Sequence, residues 1–190
     1  MCIKEANRET IVNLLESIER KGMDGLVIRL VTTGFFDSPA STKFHGCYEG
    51  GLAQHSLNVY SMLVNINEEL KLKISKETLI IACLLHDICK VGAYIPKGDK
   101  YIWNRAHPRG HATLSLGRIS EHITLTELEE TMIRYHMGIY GLVEAQDKGK
   151  EHKGEYTLRK NGLYKAWFHH PIVKVMYFCD ELDSLKERKI

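Results

Sequence analysis

A histidine and an aspartate stand side by side where an apolar run ends. Leu79-Ile80-Ile81-Ala82-Cys83-Leu84-Leu85 leads directly into His86-Asp87, and Lys90 follows three residues after the aspartate. Charge taken out of water is costly unless it is paired or bound to a metal. Neutral imidazole with carboxylate is a common ligand set for a catalytic divalent ion. Alone, the dipeptide reads as an ordinary helix-end pair, so other candidate ligands must decide. Upstream stands Gly50-Gly51-Leu52-Ala53-Gln54-His55-Ser56-Leu57. Downstream come Gly110-His111-Ala112-Thr113, Arg134-Tyr135-His136-Met137-Gly138 and Phe178-Cys179-Asp180-Glu181-Leu182-Asp183. In order, the chain presents His55, His86-Asp87, His111, His136 and Asp180, each on or at the end of a segment with helical spacing.

This ordered set resembles the HD-domain superfamily of metal-dependent phosphohydrolases. It is most similar to small bacterial and phage members carrying a Gly-Gly-Leu-x-x-His-Ser element and a His-Met-Gly element. The likeness runs from Gly34 to Leu185. It implies an all-α, compact HD-domain helical bundle. It also implies a first metal site made by His55, His86, Asp87 and Asp180. His111 and His136 match the additional histidines of the dinuclear subgroup, able to hold a second ion if Asp87 bridges. In a mononuclear enzyme those two would instead support the ligands from behind or contact the substrate. Mixed nitrogen and oxygen ligands without thiolate favour one or two divalent transition-metal ions (Mn²⁺, Fe²⁺, Co²⁺, Ni²⁺ or Zn²⁺) over Ca²⁺.

A divalent ion lowers the pKa of bound water, to about 7 in favourable zinc sites, and neutralises charge on a phosphoryl oxygen. Asp87 and Lys90 are the catalytic candidates. Lys90 matches a recurrent family lysine and would reach a substrate phosphate or orient Asp87, where the bland alternative is a solvated lysine at a helix C-terminus. His45, Lys90, Arg105 and Arg109 are candidates for substrate binding, weighed against plain surface residues. The implied activity is hydrolysis of a phosphomonoester or phosphodiester, with a small-molecule phosphate ester, a nucleotide or a short single-stranded nucleic acid as substrate. Two other classes use the same frame: a di-iron oxygenase, and a nucleotide-sensing HD protein without turnover. The chain carries no Gly-x-Ser-x-Gly elbow, no phosphate-binding P-loop and no His-Glu-x-x-His zinc helix.

Helices must position these residues. Ile11, Leu14, Leu15 and Ile18 predict one from Asn7 to Arg20. Leu26, Val27, Leu30 and Val31 predict a second that stops before Gly34, although the β-branched residues there also permit a strand. Phe35 to Gly51 reads as a loop. Leu52, His55, Val59 and Leu63 then repeat at three and four residues, which turns His55 inward. Ser75 is a plausible N-cap for the helix that carries His86. Tyr94 to Arg109 is irregular, with room for a small β-hairpin through Lys100 to Trp103 between the His-Asp helix and His111. A helix starts near Gly110 or His111 and runs to about His122. Thr126 caps the next, with Glu127, Glu129 and Glu130 in its first turn, where acids suit the helix dipole. Gly141 to Asn161 is polar and aperiodic and reads as an exposed insertion. Its lysines and Arg159 are diluted by acids, which favours a solvated loop over a nucleic-acid strip. Pro171 starts a last helix with Val173, Met176, Tyr177 and Asp180 toward the core.

The 190 residues suit one domain, with N-terminal helices over 1–33 and the metal-site core over 34–185. At 44% hydrophobic, 26% charged and net charge +2, nothing global asks for a nucleic acid or a membrane. Apolar runs are too short for a membrane-spanning helix, and no signal-peptide pattern is seen. The five cysteines (Cys2, Cys47, Cys83, Cys89, Cys179) form no Cys-x-x-Cys. Reduced thiols in a cytoplasmic protein are the expectation.

Overall fold

A computed structural model describes residues 2–142 and 153–185. Its helices are α1 (Ile3–Glu16), α2 (Met23–Thr32), α3 (Gly51–Glu69), α4 (Lys76–Leu85), α5 (His111–Ser120), α6 (Glu127–Tyr135), α7 (Lys153–His169) and α8 (Pro171–Leu185). One antiparallel hairpin, β1 (Tyr94–Lys97) and β2 (Lys100–Trp103), interrupts them. The all-α expectation holds, and so does a hairpin between the His-Asp segment and His111.

The bundle is built around α4. Every residue from Thr78 to Leu85 is buried, so this helix has no solvent face. It packs against α3, α6 and α1, while α3 also contacts α1 and α8. Ser75 caps α4, its hydroxyl accepting from the Thr78 amide at 3.1 Å. Because α4 runs through the centre, the residues that follow Leu85 emerge inside the molecule. His86 and Asp87 are therefore buried by position in the chain rather than by an added lid.

Several elements differ from sequence spacing for identifiable reasons. The first helix begins at Ile3, where Cys2 N donates to Glu5 Oε2 at 3.0 Å, and Ile3 itself is exposed and gives no apolar signal. The second segment is helical despite its β-branched residues, because Met23, Leu26, Val27 and Leu30 form one buried stripe. Within the stretch expected to be an exposed insertion, residues 143–152 lie outside the described residues. From Lys153 onward the chain is helical, with residues 157–161 exposed. Leu163 and Ala166 are buried on α7, but Leu158, Tyr164 and Phe168 point to solvent, so no apolar period marks this helix.

Two local devices fix the flanks of the centre. Gly50, at φ 84°, is the N-cap of α3, and a Cβ on Gly51 would stand 2.1 Å from the Gly46 carbonyl oxygen. Only glycine permits that approach of the 46–50 turn to the helix start. On the other flank, Arg118 Nη1 donates to the carbonyls of Ile88 (2.6 Å) and Val91 (3.2 Å). These bonds brace the 3₁₀ turn Ile88–Lys90 that follows Asp87. Among the described residues no helix is long and apolar enough to cross a membrane.

Candidate metal centre

Five elements deliver their side chains to one buried point. His55 comes from α3. His86 is the C-cap of α4, and Asp87 follows in a bridge conformation, φ −106° and ψ 14°. His111 is the first residue of α5, His136 the C-cap of α6, and Asp180 lies on α8. His55, His86, Asp87 and His136 are each no more than 2% exposed.

Asp87 sits between two sets of imidazoles. Its Oδ2 lies 3.4 Å from His86 Nε2 and 3.6 Å from His55 Nε2, and Asp180 Oδ1 is 3.0 Å from that His55 nitrogen and 3.8 Å from His86 Nε2. Its Oδ1 lies 2.7 Å from His111 Nε2 and 3.6 Å from His136 Nε2, and those two nitrogens are 3.1 Å apart. Lys90 Nζ reaches Asp87 Oδ2 at 2.6 Å.

The opposite ring nitrogens are held from behind. His86 Nδ1 donates to the Cys83 carbonyl at 2.8 Å, and His136 Nδ1 donates to the Ile133 carbonyl at 2.6 Å. A carbonyl only accepts, so Nδ1 carries the proton and the Nε2 lone pair faces the centre. Asp183 Oδ2 lies 2.7 Å from His55 Nδ1, and Asn58 donates to its other oxygen at 2.9 Å. His111 Nδ1 meets Cys89 Sγ at 3.2 Å.

A divalent ion fits these residues. Among the described residues, His55 Nε2, His86 Nε2 and Asp87 Oδ1 are buried and lack a well-directed hydrogen bond, although rings and carboxylates crowd around them. Buried polar atoms are rarely left so unless an ion or an ordered water meets them. Among the described residues three groups have donor atoms mutually within 4.8 Å: His55 with His86 and Asp180, His86 with Asp87 and His136, and Asp87 with Cys89 and His111. Imidazole nitrogen and carboxylate oxygen are the donors a first-row divalent ion takes.

The charges are mutually supporting. Burial alone would raise the Asp87 carboxyl, but Lys90, His86 and His111 hold it well below the usual carboxylate range. Burial is likewise overcome at Asp180, which the adjacent His55 ring and its charge keep ionised. Burial would also lower His55, yet the Asp180 and Asp183 carboxylates on either side of its ring push it up to about 9. His111, also opposed by burial, is pushed up to about 10 by Asp87 and Cys89. Burial pushes His136 down.

These directions predict how metal uptake depends on pH. An ion requires unprotonated ring nitrogens, so binding to the metal-free protein expels the protons on His55 and His111. Apparent affinity should rise about 10- to 100-fold per pH unit from roughly pH 6.5 toward pH 9, for one or two protons displaced. Potentiometric proton release on Mn²⁺ addition would check this, and a pH-independent affinity would refute it. Stability of the metal-free protein runs the other way. The raised folded-state values contribute fully below the ordinary histidine pKa of about 6.5. That contribution is lost as pH climbs through about 9 for His55 and about 10 for His111.

The remaining sequence candidates are placed differently. His45 is buried, its ring centroid 4.6 Å from that of His55, and burial with the nearby His55 and Lys90 pushes it down to about 4. Arg105 and Arg109 are exposed on the segment after β2, and among the described residues no hydrogen bond or ion pair ties them to the centre. Asp183, Asn58 and Cys89 were not singled out from sequence. The spacing holds a signal for two of them: Asn58 follows His55 and Asp183 follows Asp180 by three residues, one helical turn on the same face. Asp183→Asn should weaken Mn²⁺ binding by about 10- to 100-fold, the usual effect of losing a carboxylate behind a ligating histidine. Titration against a competing chelator would measure it, and unchanged affinity would remove Asp183 from the centre.

A family model for the HD domain matches residues 52–183. The chain belongs to the HD-domain family. All six sequence-expected ligand residues fall within that match, which runs from the first turn of α3 into α8. Among curated proteins, the chain is 30% identical over 108 residues to a dihydroneopterin 2',3'-cyclic phosphate phosphodiesterase of Methanocaldococcus jannaschii. That match takes in 48% of this chain and 43% of the relative, so the HD protein spans less than half the length of the relative it resembles. No solved structure matches the chain.

Proposed function

We propose that this HD protein is a metal-dependent phosphohydrolase that cleaves a phosphodiester of a small molecule or nucleotide by attack of water. The observation that carries the reading is Asp87, one oxygen toward His55 and His86 and the other toward His111 and His136. The cyclic phosphate phosphodiesterase named among its relatives supports the ester class.

His55, His86, Asp87 and Asp180 would hold a first divalent ion, and His111 and His136 with Asp87 a second. When bound, the metal supplies an acidified water at neutral pH and neutralises phosphoryl charge. The chain's own residues prepare the rest. The Cys83 and Ile133 carbonyls and Asp183 hold three imidazoles in place, which removes reorganisation from the reaction. Lys90 holds Asp87 ionised. Because that ammonium already lies on Asp87, it offers less to a second negative charge on a substrate. A diester carries one charge, whereas a monoester carries close to two at pH 7.

The test is product analysis after incubating the Mn²⁺-loaded protein with cyclic nucleotides, bis(p-nitrophenyl) phosphate, mononucleotides, nucleoside triphosphates and short single-stranded RNA. Consumption of a diester with release of a monoester is expected. Consumption of monoesters alone, or of nothing while metal is bound, would overturn the reading.

A further inference from the structure

The loop before α3 holds a second kind of unsatisfied group. His45 is 9% exposed, and among the described residues neither Nδ1 nor Nε2 has a hydrogen-bond partner. It sits beside His55 without belonging to any of the three ligand groups. A buried imidazole with both nitrogens unmet is unfavourable in the free protein, and such groups persist where a ligand or an ordered water meets them.

The backbone beneath it is tied down. Ser41 Oγ accepts the amides of Phe44 (2.9 Å) and His45 (3.1 Å) and donates to the His45 carbonyl (2.8 Å). Ala40 N donates to the Gly46 carbonyl at 2.8 Å, and Leu52 N donates to the Ser38 carbonyl at 3.0 Å. One hydroxyl thus closes the turn under His45, its two flanks are bonded to each other, and the first flank is bonded to the start of α3. Such preorganisation spares a binding group the entropy of being positioned at the moment of contact.

We propose that His45 is the substrate-recognition residue of this centre, donating a ring N–H to an oxygen of the bound phosphodiester, and that Ser41 is the positioning residue that holds it there. The proposal rests on the phosphohydrolase reading and adds a specificity element to it. A neutral imidazole is a donor without net charge. It suits the single charge of a diester, whereas a doubly charged monoester would gain more from a cation.

The experiment uses the Mn²⁺-loaded protein with bis(p-nitrophenyl) phosphate, comparing wild type, His45→Leu, His45→Gln and Ser41→Ala. All four should bind equal metal. His45→Leu keeps bulk but no donor, and should lose on the order of 10- to 100-fold in kcat/KM. His45→Gln keeps an N–H and should recover part of that loss, which a merely structural role would not give. Ser41→Ala should raise KM more than it lowers kcat. Full activity in His45→Leu, no rescue by Gln, or a loss that tracks lost metal would each overturn the proposal. If wild type hydrolyses no ester at all, it is the phosphohydrolase reading that fails. Inorganic phosphate titrated into the Mn²⁺-loaded proteins, read by phosphorus NMR line broadening, then tests His45 alone. Weaker phosphate binding in His45→Leu with rescue in His45→Gln supports recognition, and equal binding in all variants refutes it.

Discussion

Asp87→Asn should abolish both metal binding and turnover while leaving a folded helical protein. The substitution keeps the shape and removes the charge shared by the two sets of imidazoles. It also strands Lys90, whose ammonium is 2.6 Å from the carboxylate and whose side chain is largely buried. Loss of metal-based charge stabilisation is worth several kcal/mol of transition-state energy, which corresponds to about 10³-fold or more in kcat/KM. Metal content after desalting and turnover on the diester that wild type consumes are the two readouts. Unchanged metal and unchanged rate would remove Asp87 from the centre and the functional reading with it. His136→Gln is the informative partner: if the second set of imidazoles holds its own ion, this variant should keep one metal and lose the other.

Arg20→Ala should cost as much stability as any single change outside the centre. Glu129 is fully buried near the start of α6, and Arg20 grips both of its oxygens at 2.7 and 3.0 Å. The same carboxylate accepts from the Thr126 amide at 2.9 Å and so closes the α6 capping box. Arg20 also bonds Glu77 beside the start of α4 and the Thr124 carbonyl, so one guanidinium joins the segment after α1 to the N-termini of α4 and α6. Removing it leaves a buried carboxylate without its cation, at a cost of about 3–5 kcal/mol. For a chain of this size that lowers Tm by roughly 6–20 °C. Rate and metal content per folded molecule should not change. A Tm within about 2 °C of wild type would mean that water replaces the guanidinium without penalty.

How much of this was legible in the sequence follows from what each residue does. The candidate ligands were legible because imidazole and carboxylate are chemically unlike the apolar faces they interrupt, and because the order His55, His86-Asp87, His111, His136, Asp180 is specific. The Ser75 and Thr126 caps were legible because capping is local. Glu129 was only half legible. Its first-turn position fitted the helix dipole, but its complete burial depends on Arg20, which lies 109 residues away. Arg105 and Arg109 looked like phosphate ligands by proximity to His111. In the fold they follow an exposed hairpin and face water, while Arg118 is the arginine that braces the turn after Asp87. Helix α7 was invisible because its apolar residues lie both inward and outward, leaving no period to read. Asp183 and Cys89 were passed over because a partner that acts through another side chain has no signature of its own in one sequence.

The gathering of ligands from distant helices has a mechanical side. His55 and Asp183 are 128 residues apart, yet their side chains touch across α3 and α8. An ion held by His55 and Asp180 would fasten one end of that long span to the other, and His86, His111 and His136 would clip the intervening segments to the same point. Such a fastening acts as a cross-link does, removing loop freedom from the open chain, but its strength follows the free ion concentration instead of the redox state of a thiol. The chain would then be a metal-dosed clasp, gripping tightly where the ion is plentiful and loosening from α8 inward where it is scarce.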